Sequence, residues 1–299
     1  MFSDIFAFGD SFIAGTELAA ETIPGLRETL IKKFNVVYKP DGRIHNLDNL
    51  HNAGQIHSYV HNELISTFGQ HKKGQLPADH KLSFVNKVAQ SLGIPAYNCG
   101  IPGSGMVSIV HQLTINLDAI KQTKKPFVII GITGTSRLSK FDSIGVKNIL
   151  PYYRDPRLSK SQQQDLDAFN RLSFEFGDDV LSRLTHRTSH ICLMAYLLRD
   201  IPHMFIDSYG DVTNEEIYNS FFVNNYNNSS KEQIQERDIR KDYAKLLREV
   251  NTDHIFPTSI CELANAAGTD SYCLFWHPRE HIHQIMADQI VDYIGKKYA

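Results

Sequence analysis

The chain has 299 residues, is 42% hydrophobic and carries a formal net charge of −2. That length and apolar content suit one large globular domain spanning 1–299, and the small net charge excludes the overall basic field with which proteins grip nucleic acid. No apolar run reaches the ~18 residues of a membrane span. The first predicted strand begins almost at Met1, with no cleavable signal ahead of it, so a cytoplasmic location is expected.

In chain order, Ile5-Phe6-Ala7-Phe8 reads as a short buried strand that ends at Gly9-Asp10-Ser11-Phe12. A Ser on a strand-to-helix turn holds its hydroxyl out of the core, beside the unpaired N–H groups of the next helix. That placement suits a nucleophile, because the same N–H groups can stabilise an oxyanion. It also suits a plain helix cap, so the tetrapeptide alone decides nothing. A helix is expected over 13–18, a loop over 39–54 and a short helix over 57–68. Residues 84–92 form a clearer helix, with Phe84, Val85, Val88, Ala89 and Leu92 on one face. Gly93 stops it, and a strand follows over 96–99.

Asn98-Cys99-Gly100-Ile101-Pro102-Gly103-Ser104-Gly105 then makes a glycine-rich loop. Its composition indicates a backbone that approaches something closely. A helix over 106–120 leads to Phe127-Val128-Ile129-Ile130, an apolar strand of the buried parallel type, which ends in Gly131-Ile132-Thr133-Gly134. The order strand, helix, strand, helix, strand, with a glycine-bearing loop after each strand, predicts a doubly wound, flavodoxin-like parallel sheet of about five strands. Ligands of such sheets bind beyond the strand C-termini.

Residues 136–157 read as irregular and 161–200 as mostly helix, broken near Gly177. Residues 202–207 read as a fourth strand. The polar stretch that follows contains a charged helical run over 231–249. Segments 136–157 and 213–251 exceed what the sheet needs and are expected to be insertions. Asn227 and Asn228 in N-x-S patterns fall in this polar stretch and read as loop. Cys273-Leu274-Phe275-Trp276 is a short apolar run closed by His277-Pro278, and an amphipathic helix follows over 279–298. Pro278 fits the first turn of that helix, which fixes His277 just ahead of it. Trp276 reads as a core residue beside a site or as the lining of an acyl pocket.

Other chemistries are weaker. Cys99, Cys192, Cys261 and Cys273 are widely spaced without a C-x-x-C pair, so reduced, buried thiols are expected rather than disulfides. His277 and His281 have i, i+4 spacing, but Pro278 interrupts it and no partner motif accompanies them, so no metal is expected. The 100–105 loop lacks the Lys-Ser/Thr ending of a phosphate cradle, and no cofactor is expected.

Gly9–Phe12, the loop with Gly103, the Gly131 loop and His277-Pro278 together resemble the blocks of the SGNH/GDSL hydrolase family, across both ends of the chain and the sheet core. The resemblance implies a serine esterase or deacylase. Ser11 would be the nucleophile and His277 the base, with the oxyanion held by N–H groups of Ser11 and Gly103. Asp10 and His283 would support the site. It implies a small-molecule or glycan ester as substrate, such as an O-acetylated carbohydrate. Two blocks depart from the family's pattern. Thr133 stands where an Asn side chain normally gives the third oxyanion donor, so its hydroxyl, or that of Thr135, is the expected substitute. Leu274 stands where an Asp normally orients the His, and Asp270 is the nearest acid before it. A backbone carbonyl would be the alternative partner, leaving a Ser–His dyad. The competing readings are an acyltransferase using the same pair, and a binding protein that kept the fold and lost the reaction.

Overall fold

The structure is a computed structural model that describes residues 2–45, 50–69, 77–134, 138–142, 145–149, 164, 180–209 and 254–298. Its framework is a four-stranded parallel sheet of β1 (Asp4–Phe8), β2 (Ala96–Asn98), β3 (Pro126–Ile132) and β6 (His203–Asp207), in the order β2-β1-β3-β6. Counting these strands in chain order gives 2-1-3-4, the flavodoxin-like arrangement with its crevice between β1 and β3. In the fifth position there is no strand among the described residues. A single parallel bridge between Phe205 and Ile255 stands there instead.

Alternation along the strands divides the core between the two sheet faces. Ile5, Ala7, Phe127, Ile129, Met204 and Ile206 point to one face, where α5 (Phe84–Leu92), α8 (Ile260–Ala267) and α9 (Glu280–Tyr298) cover them. Phe6, Phe8, Val128, Ile130 and Phe205 point to the other, under α6 (Met106–Gln122) and α7 (Val180–Leu197). The helix boundaries follow local chemistry. Ser259 and Glu262 form a reciprocal capping box at the start of α8.

A third apolar cluster lies off the sheet, among α2 (Leu26–Phe34), α3 (Leu50–Phe68) and the chain before α9. It joins Ala19, Leu30, Val36, Ile44, Ile56 and Leu274. The expected loop over 39–54 therefore gives way to helix from Leu50, and α2 and α4 (Pro77–Leu82) were not anticipated. Within 136–157, read as irregular, Leu138–Asp142 (β4) and Gly145–Ile149 (β5) pair as an antiparallel hairpin. Most of the expected helix before Val180, and the whole of 213–251, lie outside the described residues. Cys261 and Cys273 are buried free thiols. Cys99, just past the end of β2, and Cys192, within α7, are only partly buried.

Candidate active site

The expected helix over 13–18 is only one turn, α1 (Ser11–Ala14). Asp10 caps it, its Oδ1 accepting the Phe12 N–H at 3.0 Å. The turn fits because β1 and β3 give it room. A Cβ on Gly9 or Gly131 would lie 2.3 or 2.5 Å from the Ile13 Cγ1, so both strand ends need glycine for Ile13 to lie between them. Ser11 thus becomes the first helical residue, 3% exposed, at the C-terminal edge of the sheet.

Asp10 ties this edge together. It is fully buried, and its Oδ2 accepts the Thr133 hydroxyl at 2.9 Å, with Ser208 Oγ a longer 3.5 Å from Oδ1. A carboxylate only accepts, so the Thr133 proton is committed to Asp10. Thr133 therefore does not take the expected part of third oxyanion donor. It links the end of β3 to the α1 cap.

Gly103 adopts φ +79°, with open space where a side chain would project. No hydrogen bond to its N–H occurs among the described residues. The loop before it is pinned to the first block, since Ile101 N–H donates to the Gly9 carbonyl at 3.0 Å. The Asn98 Nδ2 reaches the Ile13 carbonyl at 2.7 Å.

The two ends of the chain meet here. The His277 ring lies against Phe12, centroids 5.4 Å apart, and Tyr209 packs edge-on to the same Phe12 at 5.0 Å. His277 sits in a tight loop in which Cys273 N–H donates to the His277 carbonyl at 2.7 Å and Tyr272 bridges Pro278. Glu17, which sequence reasoning missed, is the acid that lies beside the imidazole. Its Oε1 is 3.0 Å from His277 Nδ1, and its Oε2 accepts the Phe275 N–H at 2.9 Å. The Nδ1 contact is at ion-pair distance without the alignment of a hydrogen bond. Such contacts in ligand-free sites commonly tighten when substrate binds. With Nδ1 on Glu17, Nε2 is the nitrogen left for a substrate-side proton.

Glu17 was hidden by the expectation that 13–18 is helical. The chain instead leaves helix after Ala14, and Glu17 takes φ +75°, unusual for a residue with a side chain. Asp270, the acid expected from sequence, is elsewhere. It pairs with Arg279, which also meets Glu21 at 3.2 Å. Leu274 cannot be a charged position either, because it is fully buried in the third apolar cluster. Leu274→Asp is expected to lower stability by about 3 kcal/mol or more, from lost apolar burial and a stranded carboxyl. Chemical denaturation measures it.

His283, in α9, is fully enclosed. Its Nδ1 accepts the Phe84 N–H at 3.1 Å and the ring bonds the Pro278 carbonyl. Burial pushes its pKa down to about 3, helped by the nearby His277 and Lys87, so it stays neutral and fastens the His277-Pro278 loop to α5. Trp276 is not a core residue. It is 39% exposed at φ +93°, with the Arg43 guanidinium 4.2 Å from its ring centre. Among the described residues, no group of three or more His, Cys, Asp or Glu side chains could hold a metal, and no helix is long and apolar enough to cross a membrane.

No family model matches the chain. No curated protein matches it in sequence. Solved structures do. A member of the lipolytic protein G-D-S-L family from Veillonella parvula aligns over 98% of this chain and 99% of its own, at 10% identity and TM-score 0.44. A carbohydrate esterase, described as having divergent catalytic and non-catalytic binding functions in its active site, aligns over 99% and 69% at 12% identity and TM-score 0.42. An acetyl xylan esterase from the rumen bacterium Butyrivibrio proteoclasticus aligns over 99% and 64% at 10% identity and TM-score 0.40. The chain is similar to these proteins.

Proposed function

We propose that the chain is a serine hydrolase of the SGNH/GDSL type that cleaves a carboxylic ester, an O-acetyl group on a carbohydrate being the favoured class. The observation that carries this reading is the pairing of Glu17 with His277 Nδ1 beside the residue that follows Ser11. A Ser hydroxyl is a weak nucleophile until a base removes its proton. An imidazole does so near neutral pH when its other nitrogen is held by an acid.

In the proposed reaction, Ser11 Oγ attacks the ester carbonyl as its proton passes to His277 Nε2. The resulting oxyanion is met by the Ser11 and Gly103 N–H groups. Collapse of the intermediate expels the alcohol, which takes the proton from His277 and leaves an acyl-Ser11. Water then attacks that ester, giving its proton to His277. The carboxylic acid leaves and Ser11 recovers its proton. Each backbone donor is worth about 3 kcal/mol of barrier. An acyltransferase would share the first half and replace water with a second alcohol. One observation favours the non-catalytic reading: the commitment of Thr133 to Asp10 removes a third donor.

A fluorophosphonate probe followed by peptide mass spectrometry tests the proposal. The expected result is one adduct on Ser11 that disappears in Ser11→Ala. A folded wild-type protein without an adduct at Ser11 overturns the hydrolase reading in favour of a binding protein.

A further inference from the structure

We infer that Asp79 is a positioning residue that holds Glu17 on His277. This deepens the hydrolase reading and rests on it for its catalytic meaning, although the contacts exist without it. Asp79 belongs to α4 and is 5% exposed. Its Oδ1 accepts the Ala19 N–H at 2.7 Å, and the carboxyl also faces the Glu17 N–H. It therefore anchors the segment in which Glu17 is forced into the left-handed region, a conformation that persists only when its surroundings impose it. The same segment packs closely on α4. A Cβ on Gly15 would lie 2.8 Å from both the Asp79 carbonyl oxygen and the Ser83 Cβ.

Two carboxyls and an imidazole consequently share one enclosed corner. The charged groups that Asp79 faces are Glu17, from the segment after α1, and His277, from the loop before α9. The Asp79 pKa is raised to about 7: burial is the largest cause and the Glu17 charge adds to it, while backbone N–H groups and His277 oppose the rise. Below about pH 7 Asp79 is neutral, and above it a second carboxylate charge enters the corner beside Glu17. The positioning device thus has a pH dependence set by Asp79.

The test is NMR of isotope-labelled full-length protein without substrate. The expected result is that Asp79 13Cγ titrates with a midpoint near 7 and that the Glu17 13Cδ shift moves with the same midpoint. Asp79→Asn keeps an acceptor for Ala19 N–H, so it should keep Glu17 in place and lose that step. Asp79→Ala should displace the Glu17 13Cδ shift, together with at least a tenfold drop in kcat/KM at unchanged KM. The inference is overturned if Asp79→Asn keeps the wild-type step, or if a folded Asp79→Ala leaves the Glu17 13Cδ shift unchanged. A protein that shows the NMR pattern but fails to label at Ser11 defeats the hydrolase reading alone. One that labels but lacks the pattern defeats this inference alone.

Discussion

His277→Ala is expected to lower kcat/KM for an activated ester such as 4-nitrophenyl acetate by at least about 10⁴-fold. The size follows from the two tasks given to one imidazole. It takes the Ser11 proton in the first half of the reaction and returns it to the leaving alcohol. Among the described residues, the nearby His283 does not take over either task. His283 is held neutral by burial and has both ring nitrogens committed to Phe84 and Pro278. The fold should tolerate the change, because His277 is only partly buried and its loop is held by backbone bonds from Cys273 and Arg279 rather than by the ring. Steady-state kinetics with a thermal melt as control checks this. Activity within tenfold of wild type would remove His277 from the mechanism.

Glu17→Gln is the second large effect, an expected loss of about 10²- to 10⁴-fold in kcat/KM. A Gln of the same shape still accepts the Phe275 N–H that Glu17 Oε2 now takes, so the loop contact survives. The negative charge that stabilises the imidazolium is lost, and the amide NH2 left facing Nδ1 donates to it, which favours the tautomer with its proton on Nε2 and blocks that nitrogen as base. The loss should fall on kcat more than on KM, since Glu17 meets the imidazole and not the ester. Asp270→Asn is the paired control. That carboxylate is more than half exposed and holds Arg279, so its removal should change kcat/KM by less than about twofold. The reverse pattern, with Asp270→Asn crippling and Glu17→Gln mild, would return the orienting role to the position that sequence suggested.

The contrast between these two acids shows where sequence reading stops. An Asp shortly before a His is visible as spacing, whereas Glu17 is 260 residues from its imidazole and lies in a stretch whose apolar pattern suggested helix. Only the αL turn at Glu17, imposed by packing against α4, swings its carboxylate towards the far end of the chain. Thr133 makes the same point. Its residue type suited an oxyanion donor, but a hydroxyl has one proton to give, and the buried Asp10 carboxylate takes it.

By itself the sequence determined the parallel sheet and the strand-end glycines, and the resemblance of its blocks to a known family picked out Ser11 and His277 as the residues to watch. The sheet and its glycines follow from local rules: apolar runs of strand length, helical spacing on one face, and turns that few residues can make. The tertiary structure alone decided which acid meets the imidazole, that Leu274 is core, that Trp276 faces solvent, and that a second buried carboxyl anchors the first. Each of these is a contact between segments far apart in the chain, selected by space and by the need of every buried polar group for a partner. No local pattern records such a choice.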